Sequence, residues 1–416
     1  MRTVEIRTAA LEGVRGVTSR VKVTLRRGGH NFSIVGCSAD ASTHLRARAR
    51  SAIENSGYGW PAGDLTVAFE HPAAPHMDLA AALGVLEVSG QLGPTGLGAL
   101  STCGVLGELG FDGRLHKTRG AYPLGVAAGA GGYPVICPDM CAGHVALGAV
   151  ALGGVDLAGI AAHMKGFTTL HRAEPIGPAP DNGDAPDMAD VRACAAAIAA
   201  LERAAISGRG LVLRGPPGAG KTMLARRLST ILPPMTREEV LEVAAVASVS
   251  GLLGACLPGR PFRAPHHSVS GVALIGGGVH GRLGEATLAH HGVLFLDELP
   301  EFGREALDAL AYVLRRGEVV LGRGGKQVTL PARPLLVAAL NPCPCGYRGH
   351  PRQLCNCSDT AVRAYEARWR GAQIADHFAE VVDLPAVAAV DLQKAPQSES
   401  SATIRARVVA ARSKEG

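Results

Sequence analysis

The sequence predicts an α/β protein, and two stretches of the chain carry that prediction. A short apolar run at residues 211–214 leads into a glycine-rich stretch at 215–222, and residues 223–232 then alternate apolar and basic side chains as a surface helix does. About 75 residues after this stretch, residues 293–296 form a second apolar run that ends in two carboxylates. Apolar runs that alternate with helical patterns are typical of a sheet covered by helices.

The glycine-rich stretch reads Gly-Pro-Pro-Gly-Ala-Gly-Lys-Thr and fits the phosphate-loop pattern G-x-x-x-x-G-K-[ST] at every fixed position. Its glycines let backbone N–H groups approach phosphate oxygens, and the start of the following helix adds a partial positive charge. A Gly-Pro-rich turn with an incidental lysine is the alternative. The predicted nucleotide-binding residues are Gly215, Pro216, Pro217, Gly218, Ala219, Gly220, Lys221, Thr222 and Met223.

Two side chains of this loop and three from later in the chain suit the chemistry of one site. Lys221 is placed to reach the β and γ phosphates of ATP, and Thr222 to hold Mg²⁺. Asp297 supports the magnesium shell, and Glu298 polarises the attacking water. Asn341, at the end of a third apolar run, is placed to sense the γ phosphate or the water. We therefore predict catalytic roles for Lys221, Asp297, Glu298 and Asn341, the alternative being strands with ordinary polar ends.

Composition limits the class of protein without naming a partner. The 416 residues are enough for two or three domains, and the formal charge of +6 suits a polyanionic partner but is well below that of a dedicated nucleic-acid coat protein. No run of about eighteen apolar residues predicts a membrane span, and the first residues lack a signal-peptide core. Ten cysteines, four of them clustered, favour thiol or metal chemistry over disulfides, so we expect a cytoplasmic protein.

Composition shifts divide the chain. Residues 1–172 are predicted to form an α/β domain in which no Ser-Lys or Ser-His peptidase dyad can be assigned. Residues 173–187 are rich in Pro, Gly and Asp and read as a linker. The phosphate-loop domain is predicted at 188–386, and we expect 387–416 to be the start of a truncated C-terminal region.

Two basic segments of the second domain are candidates for contact with DNA phosphates. Around Arg260 and Arg263 the sequence shows neither helical nor strand periodicity, which predicts an exposed or pore-lining insertion. Residues 318–330 predict a β-hairpin whose tip carries Arg323 and Lys326. If several subunits surround a channel, this tip would contact phosphates; otherwise it is a solvated charged turn.

Four cysteines directly after Asn341 have the composition of a metal site. Cys343, Cys345, Cys355 and Cys357 lie within fifteen residues, and four thiolates suit a tetrahedral Zn²⁺. The one-residue spacers are shorter than the usual two to four, so reduced structural cysteines are the alternative.

Four motifs together resemble a known family. They are residues 215–228, Arg-Pro-Phe-Arg-Ala-Pro-His-His at 260–267, Gly-Val-Leu-Phe-Leu-Asp-Glu-Leu-Pro-Glu-Phe at 292–302 and Asn-Pro-Cys-Pro-Cys-Gly-Tyr at 341–347. The set resembles the magnesium-chelatase-like AAA+ ATPases of the YifB/ComM competence type. The resemblance implies a Lon-protease-like N-terminal domain of the ribosomal-S5 domain 2 type, followed by an AAA+ P-loop core. It also implies a hexameric ATPase that acts on DNA, in branch migration during natural transformation.

The chain departs from the family pattern at two features that the family uses for ATP hydrolysis. The family's Asp-Arg-[Ile/Phe]-Asp run corresponds here to residues 376–379, so His377 stands where the arginine finger is expected. The resemblance also implies a helical lid with a second sensor arginine, which we expect to be missing after residue 405. These departures favour, as an alternative, an ATP-binding assembly subunit that hydrolyses poorly. A chelatase-type motor subunit is a third possibility, against which the cysteine cluster and the Lon-like N-terminal domain argue.

Overall fold

The structure, a computed structural model, describes residues 1–179, 186–277, 282–323, 326–386 and 395–415. The chain divides into two compact units: residues 1–178 with 244–257, and residues 179–243 with 258–416. Residues 244–257 thus group with the first unit although they lie within the sequence of the predicted second domain. Part of the predicted linker, residues 180–185, lies outside the described residues.

The first unit is built on a mixed sheet. Its strands are β1 (Arg2–Glu12), β2 (Arg15–Arg26), β3 (Phe32–Val35), β4 (Asp64–Phe69), β5 (Gly104–Val105), β6 (Glu108–Leu109), β7 (Leu115–His116), β8 (Val135–Pro138), β9 (Ala151–Gly154) and β10 (His171–Arg172). Eight of them pair in the order β10-β9-β8-β5-β1-β2-β4-β3, and β6 pairs with β7. The long β1–β2 hairpin is antiparallel along its whole length.

Helices cover this sheet. They are α1 (Ala39–Asn55), α2 (Asp78–Val88), α3 (Gly93–Ser101), α4 (Ala121–Ala128), α5 (Asp139–Val145) and α6 (Leu157–Met164). Helix α2 is apolar on nearly all sides and is correspondingly buried along its length. A Cβ atom at its Gly84 would lie 2.5 Å from Val23 Cγ2 and 2.8 Å from Ile6 Cδ1, so the absent side chain lets α2 pack closely on the sheet.

The second unit contains a five-stranded parallel sheet. Its order is β12-β15-β18-β11-β19, formed by β11 (Gly210–Arg214), β12 (Phe262–Arg263), β15 (Val293–Leu296), β18 (Leu335–Leu340) and β19 (Phe378–Asp383). Every pair of neighbours is parallel. The central strands are continuous apolar runs because helices bury both faces of such a sheet. Parallel strands bring their carboxyl ends to one edge, where the phosphate loop begins.

Two smaller ladders complete the strands of this unit. They are β13 (Gly276–Gly277) with β14 (Arg282–Leu283), and β16 (Glu318–Arg323) with β17 (Lys326–Pro331). The second ladder confirms the predicted hairpin. Its residues 324 and 325 lie outside the described residues.

The helices of the second unit are α7 (Ala195–Ser207), α8 (Lys221–Ile231), α9 (Arg237–Ser250), α10 (Gly271–Ile275), α11 (Glu285–Leu288), α12 (Arg304–Arg316), α13 (Asp359–Arg370) and α14 (Ser401–Glu415). Residues 244–250 of α9 group with the first unit. Helix α14 contributes the fully buried Ile404 and Val408 to the same core as Leu201 of α7 and Leu228 of α8. Among the described residues, none of the helices is both long and apolar enough to cross a membrane.

The expectation of an insertion without strands around Arg263 is wrong. Residues 262 and 263 form the edge strand β12, which pairs with β15, and the Phe262 ring stacks on Phe295 with centroids 5.9 Å apart. A two-residue strand is too short to show alternation, so only the pairing with β15 reveals it.

Candidate nucleotide site

The loop that follows β11 has the geometry of an anion cradle. Gly218 and Gly220 adopt positive φ angles of 80° and 83°, a conformation that favours glycine. Gly220 is the N-cap of α8 and supplies no side-chain hydrogen bond to the first turn of that helix. Because the first amides of a helix have no intrahelical partner, they are available to phosphate oxygens here.

Lys221 lies over this loop and joins it to the neighbouring strand. Its Nζ donates to the carbonyl oxygens of Gly215 at 2.7 Å and Pro216 at 3.0 Å, and to Asn341 Oδ1 at 3.0 Å. Burial lowers the pKa of Lys221, while the charges of Asp297 and Glu298 act in the opposite direction. The ammonium group is thus held at the carboxyl edge of the sheet between two adjacent strands.

Thr222 and Asp297 form the second connection across this edge. The Thr222 hydroxyl donates to Asp297 Oδ2 at 3.1 Å, and the other carboxylate oxygen accepts the Glu298 N–H at 3.0 Å. A hydroxyl beside a carboxylate offers the hard oxygen ligands that Mg²⁺ prefers. These two side chains therefore fit a magnesium ion bound together with phosphates.

Glu298 is held in an unusual backbone conformation. Its φ angle is 54°, in the left-handed region that few non-glycine residues occupy, and its carboxylate is about half exposed. His267 Nδ1 lies 3.0 Å from Glu298 Oε2. Sequence reasoning missed this contact. The available signal is that His267 follows β12, whose carboxyl end lies at the same edge as that of β15.

Asn341 has a second partner that the sequence did not indicate. The phenolic oxygen of Tyr365, on α13, lies against the main chain of Asn341. Burial raises the pKa of Tyr365 to about 12, so the phenol stays protonated. Helix α13 thereby helps to fix the residue at the end of β18.

His377 lies at the opposite edge of the sheet. It directly precedes β19, whose first residue, Phe378, pairs with Gly210 at the start of β11. Its Nε2 lies 3.1 Å from the Ala311 carbonyl oxygen, and burial lowers its pKa. A cavity of about 410 Å³ beside it is also lined by Arg260. The five residues of β11, roughly 16 Å of strand, separate His377 from the phosphate loop of its own chain.

Two of the four cationic residues predicted to contact DNA, Arg260 and Arg263, have their guanidinium groups engaged within the fold. Arg260 donates to the carbonyl oxygens of Pro233 at 2.7 and 2.9 Å and of His291 at 2.5 Å. Arg263 forms a bidentate ion pair with Glu285 at 2.6 and 2.7 Å. At the backbone level, Arg323 and Lys326 face each other at the tip of the β16–β17 hairpin.

The structure brings the four clustered cysteines together. The Sγ atoms of Cys343, Cys345, Cys355 and Cys357 all lie within 4.8 Å of one another. Their loop follows Asn341 directly and lies next to the phosphate loop, since a Cβ atom at Gly346 would be 2.9 Å from Pro217 Cδ.

Comparisons with known proteins agree with this geometry. Residues 187–392 match the family described as magnesium chelatase, subunit ChlI, and residues 21–140 match subunit ChlI of Mg-chelatase. Protein YifB of Salmonella typhimurium and protein YifB of Escherichia coli are each 36% identical over 420 residues, covering 99% of this chain and 81% of the relative. Competence protein ComM of Haemophilus influenzae is 34% identical over 415 residues, covering 96% of this chain and 80% of the relative.

The parallel sheet and the residues at its carboxyl edge fit the magnesium-chelatase-like class of AAA+ proteins. Within that class, the chain belongs to the YifB/ComM family, as its motifs predicted. Membership suggests an ATP-binding protein that uses Mg²⁺.

Proposed function

We propose that this chain binds ATP with Mg²⁺ at the carboxyl edge of the parallel sheet and hydrolyses it. The observation that supports this proposal is the convergence of three strand ends. Lys221 Nζ lies 3.0 Å from Asn341 Oδ1, and Thr222 Oγ1 lies 3.1 Å from Asp297 Oδ2. A phosphate chain lying over the loop would meet all four side chains.

Each residue then has a defined task. The amides of residues 218–223 and the Lys221 ammonium bind the phosphates, and Thr222 and Asp297 hold Mg²⁺. The ion supplies neutralisation of the charge that develops on the phosphates. Glu298 orients and polarises the water, while His267 restrains the carboxylate that does so. Asn341 connects the γ phosphate to β18.

We further propose that ATP turnover drives work on DNA by a ring of identical subunits, hexameric by family resemblance. Two observations support this extension: the relatedness to a competence protein and the Arg323–Lys326 hairpin tip. Arg260 and Arg263 would contribute to DNA binding only indirectly, by holding their own segment of the chain in place. Their guanidinium groups are already paired inside the fold. The first unit would be the family's Lon-protease-like domain without a peptidase dyad.

Steady-state ATP hydrolysis by the purified chain tests the proposal, with and without branched DNA and beside Lys221→Ala. We expect turnover that disappears in the variant and rises with DNA. Lys22→Ala is the matched control, because Lys22 is an exposed lysine of the first unit paired with Glu5. Turnover that is equal in Lys221→Ala would contradict the ATPase assignment.

His377 favours a second function, that of an ATP-binding subunit which hydrolyses poorly. An imidazole is shorter than a guanidinium group and lacks its fork of donors, and an arginine finger contributes about 10³- to 10⁵-fold in rate. Nucleotide binding without turnover above the Lys221→Ala background would select this function.

A further inference from the structure

We propose that Cys343, Cys345, Cys355 and Cys357 bind one structural zinc ion, and that this ion holds Asn341 and Pro217 in place at the phosphate site. The binding of zinc rests on the thiols alone. The second part, the effect on nucleotide, rests on the proposed function.

The sulfur positions match a single tetrahedral ion. The Sγ–Sγ distances are 3.3 Å for Cys343–Cys345 and 3.6 Å for both Cys343–Cys355 and Cys345–Cys355. Zinc–sulfur bonds of about 2.3 Å in a tetrahedron place sulfurs about 3.8 Å apart. A disulfide needs about 2.05 Å, and all four cysteines are free. In an iron–sulfur cubane each thiolate binds its own iron, which spreads the sulfurs farther than one tetrahedron does.

The backbone is arranged to support thiolate charge. The Arg348 N–H points to Cys343 Sγ at 3.4 Å, and the Cys357 N–H points to Cys355 Sγ at 3.5 Å. Such N–H···S contacts stabilise charged ligands and orient them. Gly346 and Gly349 turn the chain back with φ angles of 86° and 78°, so that the second pair of cysteines meets the first.

The segment has few other means of staying folded. Residues 341–357 contain neither helix nor strand, and much of the segment beyond Gly346 is exposed, including Leu354 at 92%. Fixing such a loop costs about 1–2 kcal/mol of backbone entropy per residue. A metal that joins its two ends offsets that cost, as structural zinc does in small domains.

The same loop touches the nucleotide site at two points. A Cβ atom at Gly346 would lie 2.9 Å from Pro217 Cδ and 3.9 Å from Asn341 Cγ. Asn341 is in turn the acceptor for Lys221 at 3.0 Å. Release of the metal would therefore free the segment that packs on the phosphate loop and follows its hydrogen-bonded asparagine.

The first experiment measures metal content by mass spectrometry on the full chain, purified without added metal. We expect one zinc per chain in the wild type, in Lys221→Ala and in the control Cys256→Ser, whose thiol lies outside the cluster. Cys345→Ser should lose the ion. Iron in place of zinc, disulfides detected by thiol titration, or full zinc retention in Cys345→Ser would overturn the site.

The second experiment measures binding of a fluorescent ATP analogue. Cys345→Ser should bind it about 5- to 150-fold more weakly than Cys256→Ser, the range of ordinary coupling between sites.

Coupling between binding equilibria is reciprocal, so nucleotide should tighten zinc binding in the wild type, measured by equilibrium competition with a chromogenic chelator, and should leave zinc binding unchanged in Lys221→Ala. Suppose that the wild type holds one zinc and that Cys345→Ser has lost it. Equal nucleotide affinity in Cys345→Ser and Cys256→Ser would then overturn the positioning role. If the wild type binds no nucleotide at all while holding zinc, the proposed function fails and the metal site stands.

Discussion

The ammonium nitrogen of Lys221 lies 3.0 Å from the amide oxygen of Asn341, which joins the start of α8 to the end of β18. The two residues are 120 positions apart in sequence. Their contact links the loop that would bind phosphates to the strand end that would sense them.

Asn341→Ala should separate binding from turnover. Lys221 would lose one of three acceptors, at a cost of about 1 kcal/mol, so nucleotide affinity should fall less than about 10-fold. Turnover should fall roughly 10²-fold, because a group placed to contact the transferring phosphate or its water is lost. Analogue binding and steady-state kinetics on the same preparation measure both. A parallel loss in affinity and rate would assign Asn341 to binding alone.

His377→Arg should raise ATP turnover. His377 lies at the edge of the sheet opposite its own phosphate loop, so a finger there can act only on a neighbouring subunit. The gain should therefore grow with protein concentration, toward the factor of about 10³ that such arginines provide. His377→Ala is the control for loss of the Ala311 contact. A gain that does not depend on concentration would contradict action between subunits.

Helix α14 should stabilise the second unit through its apolar face and little through its ion pairs. Ile404→Ala should lower the free energy of unfolding by about 2–5 kcal/mol, since Ile404 is fully buried. Arg407→Ala should cost less than about 1 kcal/mol, because the Arg407 side chain is 45% exposed and water screens its pairs with Glu202 and Glu399.

Urea unfolding followed by tryptophan fluorescence measures both changes. Trp369 belongs to the second unit and Trp60 to the first, so a Trp60→Phe background restricts the signal to the unit that contains α14. Equal costs for the two variants would show that the helix is held by its charges.

His290 should make the second unit less stable in acid. Burial lowers its pKa to about 4, and the Arg333 N–H donates to its Nδ1 at 3.2 Å, which requires an unprotonated nitrogen. Glu242, which accepts from Nε2 at 2.9 Å, favours the charged ring, while His291 and Arg333 disfavour it.

The unfolded chain binds this proton near pH 6.5, and the folded chain does so only near pH 4. The contribution of neutral His290 to the free energy of unfolding is therefore fully present above pH 6.5. As the pH falls toward 4 it is lost, by on the order of 3 kcal/mol. The loss should be smaller by this amount in His290→Gln, with the exposed His30→Gln as control. Identical slopes for wild type and His290→Gln between pH 6.5 and 4 would refute the assignment.

The hairpin tip should contribute to DNA binding without affecting ATP binding. Arg323→Ala with Lys326→Ala should lower DNA affinity and reduce the slope of log affinity against log salt by about 1–2, one contact per cation. Arg15→Ala with Lys22→Ala removes two exposed cations of the first unit as a matched control. An unchanged slope in the hairpin variant would mean that DNA, if bound, is bound elsewhere.

Much of the site was readable from local pattern. The phosphate-loop motif, the apolar run before Asp297 and the run before Asn341 each specify a strand end within a few residues, and the hairpin around Arg323 follows from its flanking strands. Strand β12 was not readable, because two residues carry no periodicity. The contact between His267 and Glu298 depends on β12 lying beside β15, and so it was missed as well.

The sequence by itself determined the chemistry available to this protein: a phosphate loop, two carboxylates, an asparagine, four thiols and a histidine at the family's arginine position. These follow from residue types at short spacing, where the covalent chain sets the geometry. Only the tertiary structure decided which of them meet. The order of the parallel strands brings Lys221 to Asn341 and His267 to Glu298, places the cysteine loop on Pro217, and puts His377 at the far edge, because pairing between distant strands depends on the packing of the whole unit.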